Sequence, residues 1–223
     1  MTETMNPPAS AQPMAKIDER GNYLPFPGTT VVAAIRDADL PLWRALHAAL
    51  DSLDVVKEHY ALLPAESYHM TTSDLFTARE HGLARIEGEL PHLREFHQAL
   101  VENAYEPSIV VEGFSVRPNV CRLNLAFSEE QQAINKDVCE RFGFLDRIPL
   151  VFHITLGYSF RPTSERIRDT ISEAIGATLK CWGKRYVLDQ PRLCYFDDMT
   201  KFIPWDARSW PWAMESSTFA AKR

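Results

Sequence analysis

Along this chain apolar positions recur with two periods, one matching a half-buried strand and one matching a helix face. Thr29 to Arg36 is apolar almost throughout and predicts a buried strand. Asp39 with Pro41 behind it predicts a helix start, followed by an apolar stripe of Leu42, Leu46, Ala49, Leu50 and Leu53. Residues 60–64 read as a linker or short strand, and residues 67–76 as a strand. A longer helix is predicted from Leu83 to Asn103, interrupted near Pro91, with Leu90, Leu93, Phe96, Leu100 and Val101 on its apolar face. Ser108 to Val116 and Val120 to Phe127 predict two strands around the turn Arg117-Pro118-Asn119. In the second, Cys121, Leu123, Leu125 and Phe127 face one way, and Arg122 and Asn124 the other.

The sequence Ser128-Glu129-Glu130-Gln131 has the form of a capping box and opens a helix to about Phe142. Residues 150–160 predict another strand. Pro162-Thr163-Ser164 then starts a helix carrying Ile167, Ile171, Ile175 and Leu179, and short strands follow over 185–188, 192–196 and 202–205. This order contains a repeat of pattern, though not of identity. A strand, a helix and a second strand run from Thr29 to Phe76, and again from Val120 to Phe160.

The second strands of the two units carry the chemistry. One contains Tyr68-His69-Met70-Thr71 and the other Phe152-His153-Ile154-Thr155. Alternation sends His69 and Thr71 to one face, with Tyr68 and Met70 on the opposite one. It does the same for His153 and Thr155 against Phe152, Ile154 and Leu156. With the strands side by side, two imidazoles and two hydroxyls converge. A neutral histidine can accept a proton from an attacking oxygen while a protonated one donates to a leaving oxygen. Threonine hydroxyls can donate to the non-bridging oxygens of a phosphate. This makes His69 and His153 the candidate catalytic pair and Thr71 and Thr155 the candidate phosphate ligands. Arg122, whose guanidinium can fork onto phosphate, is a candidate substrate contact, together with Tyr68 and Tyr158 beside the motifs. His47, His92 and His97 read as structural. Trp205, Trp210 and Trp212 read as packing or a dimer contact, with stacking on a base as the alternative.

The paired motif His69-Met70-Thr71 and His153-Ile154-Thr155 resembles the two-histidine (2H) phosphoesterase superfamily, the LigT and cyclic-phosphodiesterase-like group. The stretch Gly21-Asn22-Tyr23-Leu24-Pro25-Phe26-Pro27-Gly28-Thr29-Thr30 is similar to the opening of a less characterised bacterial branch of it. The resemblance runs from about Gly21 to Trp205. It implies a bilobal α+β fold, with two pseudo-symmetric lobes, each a mostly antiparallel sheet flanked by helices, and the active site in the cleft between them. It also implies hydrolysis or ligation at 2′,5′ or 2′,3′-cyclic phosphodiesters, with no cofactor and no metal.

The chain has 223 residues, a formal net charge of −6 and ordinary apolar and charged fractions. That length allows a single bilobal domain over 21–223, with a disordered tail over 1–20. Phe26 in the lead-in is exposed unless it packs on the first strand. An acidic chain has no general attraction to long nucleic acid, so the expected partner is a small nucleotide or an oligonucleotide end. A monomer is compatible with the sequence. Cys121, Cys139, Cys181 and Cys194 lack metal-like spacing and read as reduced thiols. No membrane span or signal peptide is legible, which points to the cytoplasm. Two other classes remain open: a nucleotide- or RNA-end-binding protein without turnover, and a metal hydrolase using His69 and His153 as ligands with Asp74 nearby.

Overall fold

The computed structural model describes residues 15–212. Its first unit comprises β1 (Gly28–Ala34), α1 (Leu40–Asp51), α2 (Asp54–His59), β2 (Tyr60–Leu62) and β3 (His69–Thr77). Three helices follow, α3 (Ala78–His81), α4 (Leu83–Gly88) and α5 (Leu90–Glu102). The second unit comprises β4 (Ser108–Val116), β5 (Val120–Phe127), α6 (Glu129–Arg141), β6 (His153–Ser159) and α7 (Glu165–Leu179). β7 (Arg185–Val187), β8 (Arg192–Phe196) and β9 (Ile203–Pro204) end the described chain.

The strands form one nine-stranded sheet in the order β7-β4-β5-β6-β3-β1-β8-β9, with β2 paired to β6. The pairings are antiparallel throughout. The two expected lobes are therefore halves of a single curled sheet. They meet where β3 touches β6, at the residue pair Met70↔Ile154, and where β2 of the first unit pairs with β6 over Tyr60–Leu62. On either side of this seam the repeat is visible, β1 beside β3 and β5 beside β6.

Helices cover the back of the sheet in an exchanged arrangement. α1 leaves β1 but packs with α7 behind the β4–β5–β6 half, where Trp43 meets Trp182 and Tyr186 at 5.5 and 5.6 Å between ring centres. α6 leaves β5 but packs with α5 behind the other half, where Val138 and Cys139 join Leu93, Phe96 and Leu193. Each half is thus held by a helix from the opposite unit. The two cores bury most of the apolar stripes, including Leu46, Leu50, Leu93, Phe96, Ile171 and Ile175. The stripe of α1 also contains Trp43, which is wholly buried and which the leucine pattern alone did not single out.

The helix over 83–103 is interrupted near Pro91 as expected, the break falling at Glu89. α5 restarts with Pro91 in its first turn, where the missing N–H costs nothing. Several local expectations are corrected. Val101 is 52% exposed, because the buried face of α5 runs through Leu93, Phe96, Ala99 and Leu100. Ser128 precedes α6 without forming the capping box. Gln131 instead donates to Glu106 O at 2.7 Å and accepts from Ser108 N at 2.9 Å, tying the helix to the start of β4. Asp39 precedes α1 without a side-chain cap, whereas Ser164 does cap α7 through Ile167 N. β7 and β8, close in sequence, lie on opposite halves of the sheet.

Of the tail expected over 1–20, residues 1–14 lie outside the described residues. Residues 15–20 instead belong to a strap over the sheet. Ile17 bridges to Tyr23, and Leu24 N donates to Lys16 O. Tyr23 donates its hydroxyl to Ala61 O at 2.9 Å on one half, and Phe26 N reaches Asp197 O at 2.7 Å on the other. Phe26 is buried and stacked on Phe196. Cys121, Cys139, Cys181 and Cys194 are unpaired. Among the described residues no helix is long and apolar enough to cross a membrane.

Candidate active site

The site grows from the seam. In an antiparallel pair centred on Met70↔Ile154, His69 lies across from Thr155 and Thr71 across from His153. Met70 and Ile154 are fully buried behind the sheet, and the histidines and threonines are half-buried on its front. All four line one cleft of about 400 Å3, with Lys16, Asp74, Arg79, Glu80, Arg147 and Tyr158 among its other walls. The expected convergence is present.

Each imidazole is anchored in the same way. Nδ1 of His69 lies 2.7 Å from Ser67 O, and Nδ1 of His153 lies 3.0 Å from Val151 O. A carbonyl only accepts, so both rings carry a proton on Nδ1 in either charge state. Proton exchange is thereby assigned to Nε2. The ring of His69 is further backed by Phe202 at 4.1 Å between centres.

Electrostatics separate the two. Burial pushes His69 down to about 4, the bond from Nδ1 opposes this, and His153 and Lys16 push it further down. His153 is also lowered by burial, opposed by its bond to Val151 O. Arg122 and Lys16 lower it and Asp74 raises it. Before an anion arrives, the pair is therefore biased toward neutral imidazoles, rather than poised near neutrality by its sequence alone. His153 acts directly on His69, in keeping with a shared cleft.

A β-bulge follows each motif at the same point. Val32 pairs with Thr71 and Val31 with Ser73, leaving Thr72 unpaired. Likewise Arg122 pairs with Thr155 and Cys121 with Gly157, leaving Leu156 unpaired. Each extra residue inverts the alternation beyond it. Asp74 and Tyr158, at equivalent distances after His69 and His153, thus return to the cleft face. The freed carbonyls are satisfied from outside the ladder. Asn135 Nδ2 donates to Thr72 O at 3.1 Å, and Leu63 N donates to Leu156 O at 2.9 Å. Gly157 is required there, since a Cβ would come within 2.7 Å of Ala61 O on β2.

Arg122 projects from β5 beside Thr155 and lines the groove adjoining the cleft, with Lys16, His153 and Tyr158. Its Nε is buried and has no hydrogen-bond partner among the described residues. Tyr158 also faces the site. Tyr68 does not. It is fully buried behind the sheet against Trp43, and this corrects its assignment as a substrate contact. Strand alternation forbids a neighbour of His69 from sharing its face.

Sequence reasoning passed over Lys16, Arg147 and Phe202, and treated Asp74 only as a metal ligand. Lys16 carried no local signal. Asp74 did, because His-x-Thr-x-x-Asp and His-x-Thr-x-x-Tyr share one spacing. His92 is structural, its Nε2 lying 2.9 Å from Phe142 O. Trp205 and Trp212 pack with each other and with Tyr195. Among the described residues no group of three histidine, cysteine or carboxylate side chains is gathered for a metal.

Residues 16–101, which hold the first motif, match the family model described as "2H-phosphodiest: Domain of unknown function (DUF1868)". Over that segment the chain is similar to a two-histidine phosphodiesterase family. Among solved structures, it is similar to a conserved protein of unknown function from Agrobacterium tumefaciens. That match has 18% identity over 91% of this chain and 93% of that one, with a TM-score of 0.61. It is also similar to Usb1 of Kluyveromyces marxianus, solved with uridine monophosphate. There the identity is 11% over 84% of this chain and 99% of that one, with a TM-score of 0.45. None of the curated proteins matches the chain. The first of these structures shares the α+β fold described above.

Proposed function

We propose that the protein is a metal-independent phosphodiesterase. It hydrolyses a 2′,3′-cyclic phosphate, or a related phosphodiester, of a nucleotide or short RNA end. The observation that carries this reading is the matched anchoring of His69 and His153 through Nδ1, with a threonine across from each. Two equivalent proton-transfer atoms bordering one cleft suit a displacement at phosphorus, which needs a base on one side and an acid on the other.

The unequal burial of the pair favours one assignment. His69, held neutral, takes a proton from water as its oxygen attacks phosphorus. The bond to O2′ or O3′ breaks, and the departing oxygen receives the Nε2 proton of His153. His153 is the better acid because it is less buried than His69 and Asp74 partly offsets Arg122 and Lys16, and a bound phosphate further favours its protonated form. The product is a phosphate monoester with a free neighbouring hydroxyl. Release of a proton by His69 and uptake of one by His153 restore the site. Thr71, Thr155 and Arg122 hold the non-bridging oxygens, and Tyr158 borders the substrate.

Although the chain is acidic, Lys16, Arg79, Arg122 and Arg147 gather around the cleft and its groove, against Asp74 and Glu80. Local positive charge on an acidic body favours a small anion or a chain end over a long polyanion. The test is an assay with 2′,3′-cyclic nucleotides and short RNAs bearing a terminal cyclic phosphate, with and without EDTA. Turnover that persists in EDTA supports the reading. Saturable binding without turnover would make the protein a nucleotide-end binder, and loss in EDTA with rescue by a divalent cation would make it a metal hydrolase.

A further inference from the structure

Lys16 reaches the catalytic cleft from outside both repeats. It lies on the strap formed by the Ile17–Tyr23 bridge, whose two ends are fastened to opposite halves of the sheet. The turn of the strap lies against Phe160. Gly21 has φ +85, and a Cβ there would sit 3.0 Å from that ring, so the close approach requires glycine. The ammonium is located by aromatic faces and a hydroxyl. Nζ lies 5.3 Å from the centre of the Phe26 ring and 5.0 Å from that of Tyr158, and 3.4 Å from the Tyr158 hydroxyl.

Lys16 forms no ion pair among the described residues. It lines both the cleft and the adjoining groove, in each case with His153, Thr155 and Tyr158. Its charge acts on His69, His153 and Asp74 together. A half-buried cation sharing a cleft with two imidazoles is unfavourable for their protonated forms. It becomes favourable when an anion lies between them.

We propose that Lys16 is a phosphate-binding catalytic residue, and that the 15–24 strap completes the active site by carrying it there. The ammonium contacts a non-bridging oxygen and offsets charge building up on phosphorus, complementing the neutral donors Thr71 and Thr155. This inference rests on the phosphodiesterase reading for its substrate, but not for its anion site.

The experiment uses the full chain as wild type, Lys16→Met and Lys16→Arg. Methionine keeps an apolar stem against Phe26 and Tyr158, so the strap retains its packing while the charge is lost. Inorganic phosphate is titrated while the His69 and His153 imidazole signals are followed by NMR. Lys16→Met should weaken phosphate roughly tenfold and raise the titration midpoints of both histidines in the phosphate-free protein, whereas Lys16→Arg should remain within a few-fold of wild type. With a cyclic nucleotide, Lys16→Met should lose more in kcat than it gains in KM. Unchanged phosphate affinity and histidine midpoints in Lys16→Met, or no saturable phosphate binding by the wild type, would overturn the proposal. If the wild type binds phosphate through Lys16 yet cleaves no cyclic diester, the phosphodiesterase reading fails while the anion site stands.

Discussion

Met70 pairs with Ile154, and through that one pair β3 meets β6. The strands run antiparallel, so a local two-fold axis passes between them and interlocks the motifs, His69 beside Thr155 and His153 beside Thr71. This backbone contact aligns two imidazoles drawn from segments far apart in sequence. Both residues of the contact are fully buried, which holds the register by packing.

In the proposed mechanism the histidines act as one unit, so their substitutions should not combine independently. His69→Ala and His153→Ala are each expected to lower kcat on a cyclic diester on the order of a hundredfold or more. The double variant should lose less than the product of the two. Near-native kcat in either single variant would exclude the paired mechanism.

Thr71→Val and Thr155→Val remove one donor each and leave the proton relay intact. Each should cost less than a histidine substitution, roughly tenfold in kcat/KM. Arg122→Ala should act mainly on KM, since Arg122 borders the site beside Thr155 and takes no part in proton transfer. Steady-state kinetics on one cyclic nucleotide compare all three.

The pH profile follows from the directions of the histidine shifts. The proposed hydrolysis requires neutral His69 and protonated His153 in the unliganded protein. His69 is depressed to about 4, which puts the acid limb there, and His153 is depressed below 6.5, which puts the alkaline limb below that value. The bell in kcat/KM should therefore peak on the acid side of neutrality, its limbs belonging to the coupled pair. The bell in kcat should lie higher, because bound phosphate favours the protonated form. Asp74→Asn removes the charge that raises His153, so the alkaline limb should move down. A kcat/KM profile still rising above pH 7 would contradict the assignment.

Stability should carry the same sign. A depressed histidine binds fewer protons folded than unfolded between about 4 and 6.5, so stability falls as pH falls through that window. Thermal melts of wild type should lose Tm from pH 7 to pH 4.5, and His69→Asn should lose less over the same interval.

The bulges can be tested apart from the chemistry. Gly157→Ala drives a methyl group into Ala61 O and should destabilise the fold by about 1–3 kcal/mol in denaturant unfolding. Asn135→Ala leaves Thr72 O without its donor, at a cost of about 1–3 kcal/mol. It should also reduce activity, because the Thr72 bulge is what returns Asp74 to the cleft.

Strand alternation determined much of this protein. Tyr68 and Met70 are buried and His69 and Thr71 face the cleft, because a period of two is a property of the extended backbone itself. The limits of β4 and β5, the inward cysteine and leucines of β5, and the outward Arg122 were legible for the same reason. The same rule excludes Tyr68 from the site. What depended on distant parts of the chain was not legible. The bulges at Thr72 and Leu156 exist in relation to neighbouring strands and to Asn135 and Leu63, so alternation alone would assign Asp74 to the wrong face. The capping box at Ser128 gave way to the bonds of Gln131 with Glu106 and Ser108. Lys16 stands in a segment whose composition suggested disorder, and its position depends on Tyr23, Phe26, Phe160 and Tyr158. Local pattern determined which faces the side chains take, whereas the joining of the two half-sheets and the strap across them came from tertiary packing, whose energy lies in contacts between residues far apart in the chain.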